Sequence, residues 1–191
     1  MKIKKVKLYR FDELSEQARE KAMEVMSENV VDWDWYTFIE DDFKEEMSKK
    51  YGLSIDNIYF SGFYGQGVGA CFDGSIHMGD YLTRTRRKHI YPNLSKYLKY
   101  YNTHIKIGSG RAENEYSMTF EDEGCFTDSE KQGEEYDDLL DEIIETCREE
   151  ARNLYKRLQE EYEYLLSEES IKDFCLSNEI LFYEDGRLPN F

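Results

Sequence analysis

Between Tyr136 and Leu165 the apolar residues Tyr136, Leu140, Ile143, Cys147, Ala151, Leu154, Leu158 and Leu165 recur at mostly three- or four-residue intervals with charged residues between them. This is the repeat of an α-helix with one buried stripe. A helix over roughly 134–166 is about 50 Å long at 1.5 Å per residue. That exceeds the width expected of a compact domain of 191 residues. One end must therefore cross a whole sheet or protrude toward a partner, a second copy of the chain included.

The remaining segments supply the sheet and further helices. Ile3 to Tyr9 reads as a lysine-rich opening strand, with lysines that suit an exposed edge. Asp12 or Ser15 caps a helix carrying Leu14, Ala18, Ala22, Val25 and Met26 on one face. A second helix starts near Asp32 or Asp34, repeats Trp35, Ile39, Phe43 and Met47, and stops at Gly52. Residues 53–78 read as a hairpin around a glycine-rich loop, and residues 103–121 as a second, with Tyr116, Met118 and Phe120 alternating against polar neighbours. Between the hairpins, Pro92 opens a short helix. Ser167 caps a last short helix, followed by a β-like Ile180 to Tyr183 segment and an Asp-Gly turn. The fold class expected is α+β: an antiparallel sheet from two hairpins, covered by the N-terminal helices and the long C-terminal helix. One domain spanning 1–191 fits the length.

Charge narrows the function. The chain carries 25 basic and 41 acidic residues, a formal net charge of −16, which opposes direct binding to nucleic acid or to an anionic membrane. The imbalance is uneven, because residues 81–111 hold eight basic residues and no acidic one. No window approaches the length of a membrane span, and the N-terminus lacks the apolar core of a secretion signal. Cys71, Cys125, Cys147 and Cys175 form no close pair, which suits a reducing, cytoplasmic compartment.

Four sets of residues invite a chemical reading. The loop FSGFYGQGVGACFDG, 60–74, brings backbone amides within reach of a phosphate, and Tyr64, Gln66 and Gly67 are its ligand candidates. It matches neither the dinucleotide fingerprint, since Phe72 replaces the last glycine, nor a Walker loop. Arg84, Arg86 and Arg87 are the matching phosphate candidates in the basic run. Cys71, Asp73, Ser75 and His77 share one face of a regular strand, which is the ordinary solvated face unless an orienting group completes a catalytic set. The three histidines do not have the spacing of a zinc site, and although Asp73, His77 and Asp80 could converge on a metal, such a cluster in so acidic a chain is expected by chance more often than as a ligand set. The acidic helix places Glu134, Glu135, Asp137, Asp138, Asp141, Glu142 and Glu145 where carboxylates can imitate a row of phosphates. No catalytic set, metal site or cofactor is expected from these patterns.

Read together, LYRFDELSEQAREKAMEVM, the string Ser61 to Phe72 and EYEYLLSEESIKDFCLSNEILFYEDGRL resemble a family of uncharacterised tailed-phage and prophage proteins. Val68 stands where the common form of the motif has aspartate. The resemblance implies a phage accessory protein of the host cytoplasm. The leading expectation is a non-enzymatic inhibitor of a host defence complex, CRISPR or restriction, bound through its basic surface by acidic nucleic-acid mimicry. The alternatives are a protein that binds or processes a nucleotide signal through the glycine loop and basic run, and an antitoxin-like binding protein.

Overall fold

The structure is a computed structural model that describes residues 6–32, 34–99, 103–122 and 129–189. The elements run α1 (Glu16–Val30), α2 (Thr37–Tyr51), β1 (Leu53–Phe60), β2 (Ala70–His77), α3 (Met78–Arg84), α4 (Pro92–Tyr97), β3 (His104–Gly108), β4 (Thr119–Asp122), α5 (Glu130–Leu165) and α6 (Glu168–Ser177). Two compact units emerge, one of residues 37–158 and one of residues 1–36 with 159–191.

In the larger unit the four strands pair antiparallel in the order β1-β2-β3-β4, two hairpins side by side. The α+β expectation holds. Phe72 and Ile76 of β2 and Ile105 and Ile107 of β3 are buried. Ile76 and Leu53 lie beside Ile143 and Cys147 of α5, while Phe43 of α2 packs on Phe72 with ring centroids 6.0 Å apart. Ser75 faces Ser54 on one side and Lys106 on the other, along a row that carries the polar residues of the sheet. A bulge breaks the β1–β2 register between Ile55 and Asn57, and it draws Gly74 so close that an added Cβ would stand 2.0 Å from the Ser54 carbonyl. Asp73 braces the bulge by accepting from the Asn57 amide at 2.8 Å and from the Tyr59 hydroxyl at 3.1 Å.

The smaller unit is built on helix spacing. Ala18, Ala22, Met26 and Val30 of α1 bury together with Phe11, Ile171, Cys175 and Phe182. Ser15 caps α1 and Ser167 caps α6, each accepting from the amide three residues on.

Five local readings differ from the structure. Of the opening strand, residues 1–5 lie outside the described residues. Within 6–9 only Tyr9 pairs, in a lone antiparallel bridge to Phe182. The cover expected from both N-terminal helices is divided, since α2 packs on β1 whereas the buried residues of α1 belong to the other unit's core. Met78, read as strand, begins α3 directly after β2. Residues 115–117 form a 3-10 turn because the Asn114 side chain accepts from the amides of Tyr116 and Ser117, which leaves Tyr116 75% exposed. The helix expected near 134 starts earlier, at Glu130, and buries Leu139 more fully than Leu140. Cys125 falls outside the described residues. No helix among the described residues is long and apolar enough to cross a membrane.

Candidate functional site

The acidic stretch of α5 sorts into two sets once its buried stripe is fixed. Tyr136, Leu139, Ile143, Cys147, Ala151, Leu154 and Leu158 are buried. At 100° per residue, Glu134, Asp138, Asp141, Glu145 and Glu149 fall on the opposite side of the helix within an arc of about 80°. Asp137 lies just beside them. All six are exposed. Glu145 holds an exposed ion pair with Arg152 at 2.8 Å. Glu149, which the sequence reading did not single out, extends the stripe by one turn.

Glu135 and Glu142 sit on the flank of the helix and turn inward. Glu135 accepts from the amides of Asn93 at 3.0 Å and Leu94 at 2.8 Å and from the Asn93 side chain at 2.7 Å, so it caps the first turn of α4 from a distance in sequence. Glu142 accepts from the hydroxyls of Tyr81 at 2.7 Å and Tyr91 at 2.9 Å and pairs with Arg87 at 2.5 Å. Burial and the Glu142 carboxylate push the Tyr91 hydroxyl up to about 12. Further along, Glu150 is 4% exposed and accepts from Lys50 and Tyr51, whose ring stacks on Tyr81. These three carboxylates tie α5 to the rest of its unit and are engaged there.

The glycine loop is held by its neighbours. Ser61 donates its amide to the Gly69 carbonyl at 3.2 Å, Phe63 packs on Tyr155 with centroids 5.5 Å apart, and the Asn114 side chain donates to the Gly67 carbonyl at 2.9 Å. Gly67 takes φ +75°, and Tyr64 takes φ +67° with its ring 73% exposed. Gln66 is exposed. The loop caps the start of β2, whereas Arg84, Arg86 and Arg87 follow its end, about 25 Å away along eight residues of strand. The loop and the basic run do not meet in one pocket among the described residues. Of the arginines, Arg84 donates to the Lys49 carbonyl at 3.1 Å, Arg87 is paired with Glu142, and Arg86 is exposed at φ +60°.

The shared strand face assembles no nucleophile. Cys71 is fully buried beside Ser117, and burial pushes its thiol up to about 11, which keeps it protonated. It lies opposite Tyr59, whereas His77 lies six residues on, opposite His104. Asp73 is engaged by the bulge. Among the described residues no group of three or more His, Cys, Asp or Glu gathers around a point that would suit a metal ion.

A family model described as "Domain of unknown function (DUF8835)" matches residues 35–168, and the chain belongs to that family. The match takes in the Ser61 to Phe72 string and the whole acidic stripe of α5, but not the N-terminal string. No curated protein and no solved structure matches the chain.

Proposed function

We propose that this member of the family is a binding protein that presents the outward carboxylates of α5 to the basic, nucleic-acid-binding surface of a partner protein. In the phage or prophage setting that the sequence resemblance implies, that partner is a host defence complex of the CRISPR or restriction kind. The observation that carries the reading is the single-sided stripe of Glu134, Asp138, Asp141, Glu145 and Glu149, with Asp137 beside it. Successive stripe carboxylates stand three or four residues apart, about 4.5–6 Å along the axis, which is the same order as the rise per phosphate of one nucleic-acid strand.

The stripe is costly to the helix that bears it. Like charges three or four positions apart destabilise a helix by about 0.2–0.5 kcal/mol per pair, and among the described residues Glu145 alone of the stripe is paired with a cation, Arg152. A face that needed only to stay wet would be served by mixed charges. A basic partner surface relieves the repulsion, and the net charge of −16 draws such a partner in over distance.

The test is affinity capture from host extract with two baits: the parent and a variant carrying Glu134→Gln, Asp137→Asn, Asp138→Asn, Asp141→Asn and Glu145→Gln. The amides keep size and remove charge. The reading expects nucleic-acid-binding proteins enriched by the parent and lost from the variant. Equal enrichment on both baits contradicts it.

A further inference from the structure

We propose that the cleft between α3 and α4 binds a small phosphomonoester with a flat or apolar body, of the nucleoside monophosphate kind. The site lies apart from the acidic stripe of α5 and does not depend on it.

The cleft has a volume of about 560 Å³ and is lined by Gly79, Asp80, Leu82 and Thr83 from α3, Lys88 from the connection, and Ser95, Lys96, Leu98 and Lys99 from α4 and its exit. That volume lies within the range of small-molecule sites, about 300–1,000 Å³. Leu82 is fully buried beneath the cleft and Leu98 is 9% exposed at its base, so the apolar contact open to a ring comes from Leu98 and from the methylene stems of the lysines. Lys88, Lys96 and Lys99 stand exposed around it, against the one carboxylate of Asp80.

The electrostatics single this cleft out. The protein as a whole repels anions, but residues 81–111 contain no acidic residue. Their arginines are largely consumed by the fold: Arg84 is held by the Lys49 carbonyl and Arg87 is neutralised by Glu142. Among the described residues Lys88 and Lys96 make no ion pair, so their charge is left to the cleft. Compact ammonium groups on flexible stems converge readily on a dianionic phosphate. Thr83 spends its hydroxyl on the Gly79 carbonyl at 2.7 Å, whereas the Ser95 hydroxyl makes no hydrogen bond among the described residues and is open to a phosphate oxygen.

The experiment titrates the full chain with AMP, adenosine and a short oligothymidylate at constant ionic strength, following backbone amide resonances by heteronuclear NMR. AMP should shift Gly79, Thr83 and Ser95 saturably below about 10 mM, with adenosine at least about tenfold weaker. The variant Lys88→Gln, Lys96→Gln, Lys99→Gln should weaken AMP by at least about tenfold at an unchanged melting temperature, while Lys131→Gln leaves it alone. No saturable shift, adenosine binding as well as AMP, or a triple variant that binds like the parent overturns the proposal. So does an oligothymidylate that binds these residues more tightly than AMP, which would make the cleft a nucleic-acid contact instead.

Discussion

Replacing Glu150 by alanine tests whether the inward carboxylates hold α5 in place. Its Oε1 accepts from Lys50 Nζ at 2.7 Å and from the Tyr51 hydroxyl at 2.6 Å, and its Oε2 accepts from Asn153 at 3.2 Å. Breaking a buried ion pair costs about 3–5 kcal/mol when the stranded partner is also buried. Here the Lys50 side chain is 49% exposed and regains water, so the expected loss is about 2–3 kcal/mol, carried by the Tyr51 hydroxyl and the space left behind. For a chain of this size that is a fall of about 5–10 °C in Tm. Glutamine keeps the size and one acceptor, and should lose about half as much. Burial disfavours the Glu150 charge, but the bonds from Lys50, Tyr51 and Asn153 outweigh it and hold the carboxyl below its ordinary range. A depressed folded pKa gives stability that is present above the unfolded value, near pH 4.3, and lost as pH falls through the folded one. The gap between parent and Glu150→Gln should therefore be full at pH 7 and narrower at about pH 3, below the unfolded value. Urea unfolding at both pH values, with an unchanged m-value, reads this directly. A Glu150→Ala protein within about 0.5 kcal/mol of the parent at pH 7 refutes the reasoning.

Three further outcomes are expected. Arg86 occupies the left-handed position that ends α3, where the Arg87 amide returns to the Leu82 carbonyl at 3.0 Å, so Arg86→Gly should stabilise by up to about 1 kcal/mol in a thermal melt; destabilisation would show that the side chain holds the turn. Gly74→Ala would place a Cβ 2.0 Å from the Ser54 carbonyl and should cost at least about 3 kcal/mol in urea unfolding or abolish soluble expression, whereas a cost under about 1 kcal/mol would mean that the bulge yields. Ser75→Ala and His77→Ala should leave partner binding within about twofold of the parent, and a loss beyond about a hundredfold at unchanged stability would reveal a chemical role for that strand face.

The elements with strong periodicity were legible before any coordinates. The Ala18, Ala22, Met26 repeat and the Ile39, Phe43, Met47 repeat mark helices because burial on one side demands that spacing, and Gly52 at φ +76° ends α2 where its sequence position says it should. Alternation failed at Tyr116, because a side-chain cap from Asn114 turns the backbone where the pattern reads strand. Nothing announced α3: its N-cap, His77, makes no side-chain bond, and Gly79 lowers the helical signal of so short a segment. In the acidic stretch the outward stripe follows from helix geometry once the buried side is known. That Glu135 and Glu142 turn inward was not legible, because it depends on where the fold brings Asn93, Tyr81, Tyr91 and Arg87, some 40–60 residues away in sequence.

The central claim is that the outward carboxylates of α5 occupy a site where a partner holds nucleic acid. The direct measurement is competition: the captured partner is loaded with its own labelled nucleic acid, and the parent protein is titrated in at several salt concentrations. The account predicts displacement of the nucleic acid, with an association rate that falls as salt rises, and weak, salt-insensitive displacement by the amide variant of Glu134, Asp137, Asp138, Asp141 and Glu145. A ternary complex in which partner, nucleic acid and protein coexist, or an amide variant that competes as well as the parent, contradicts it.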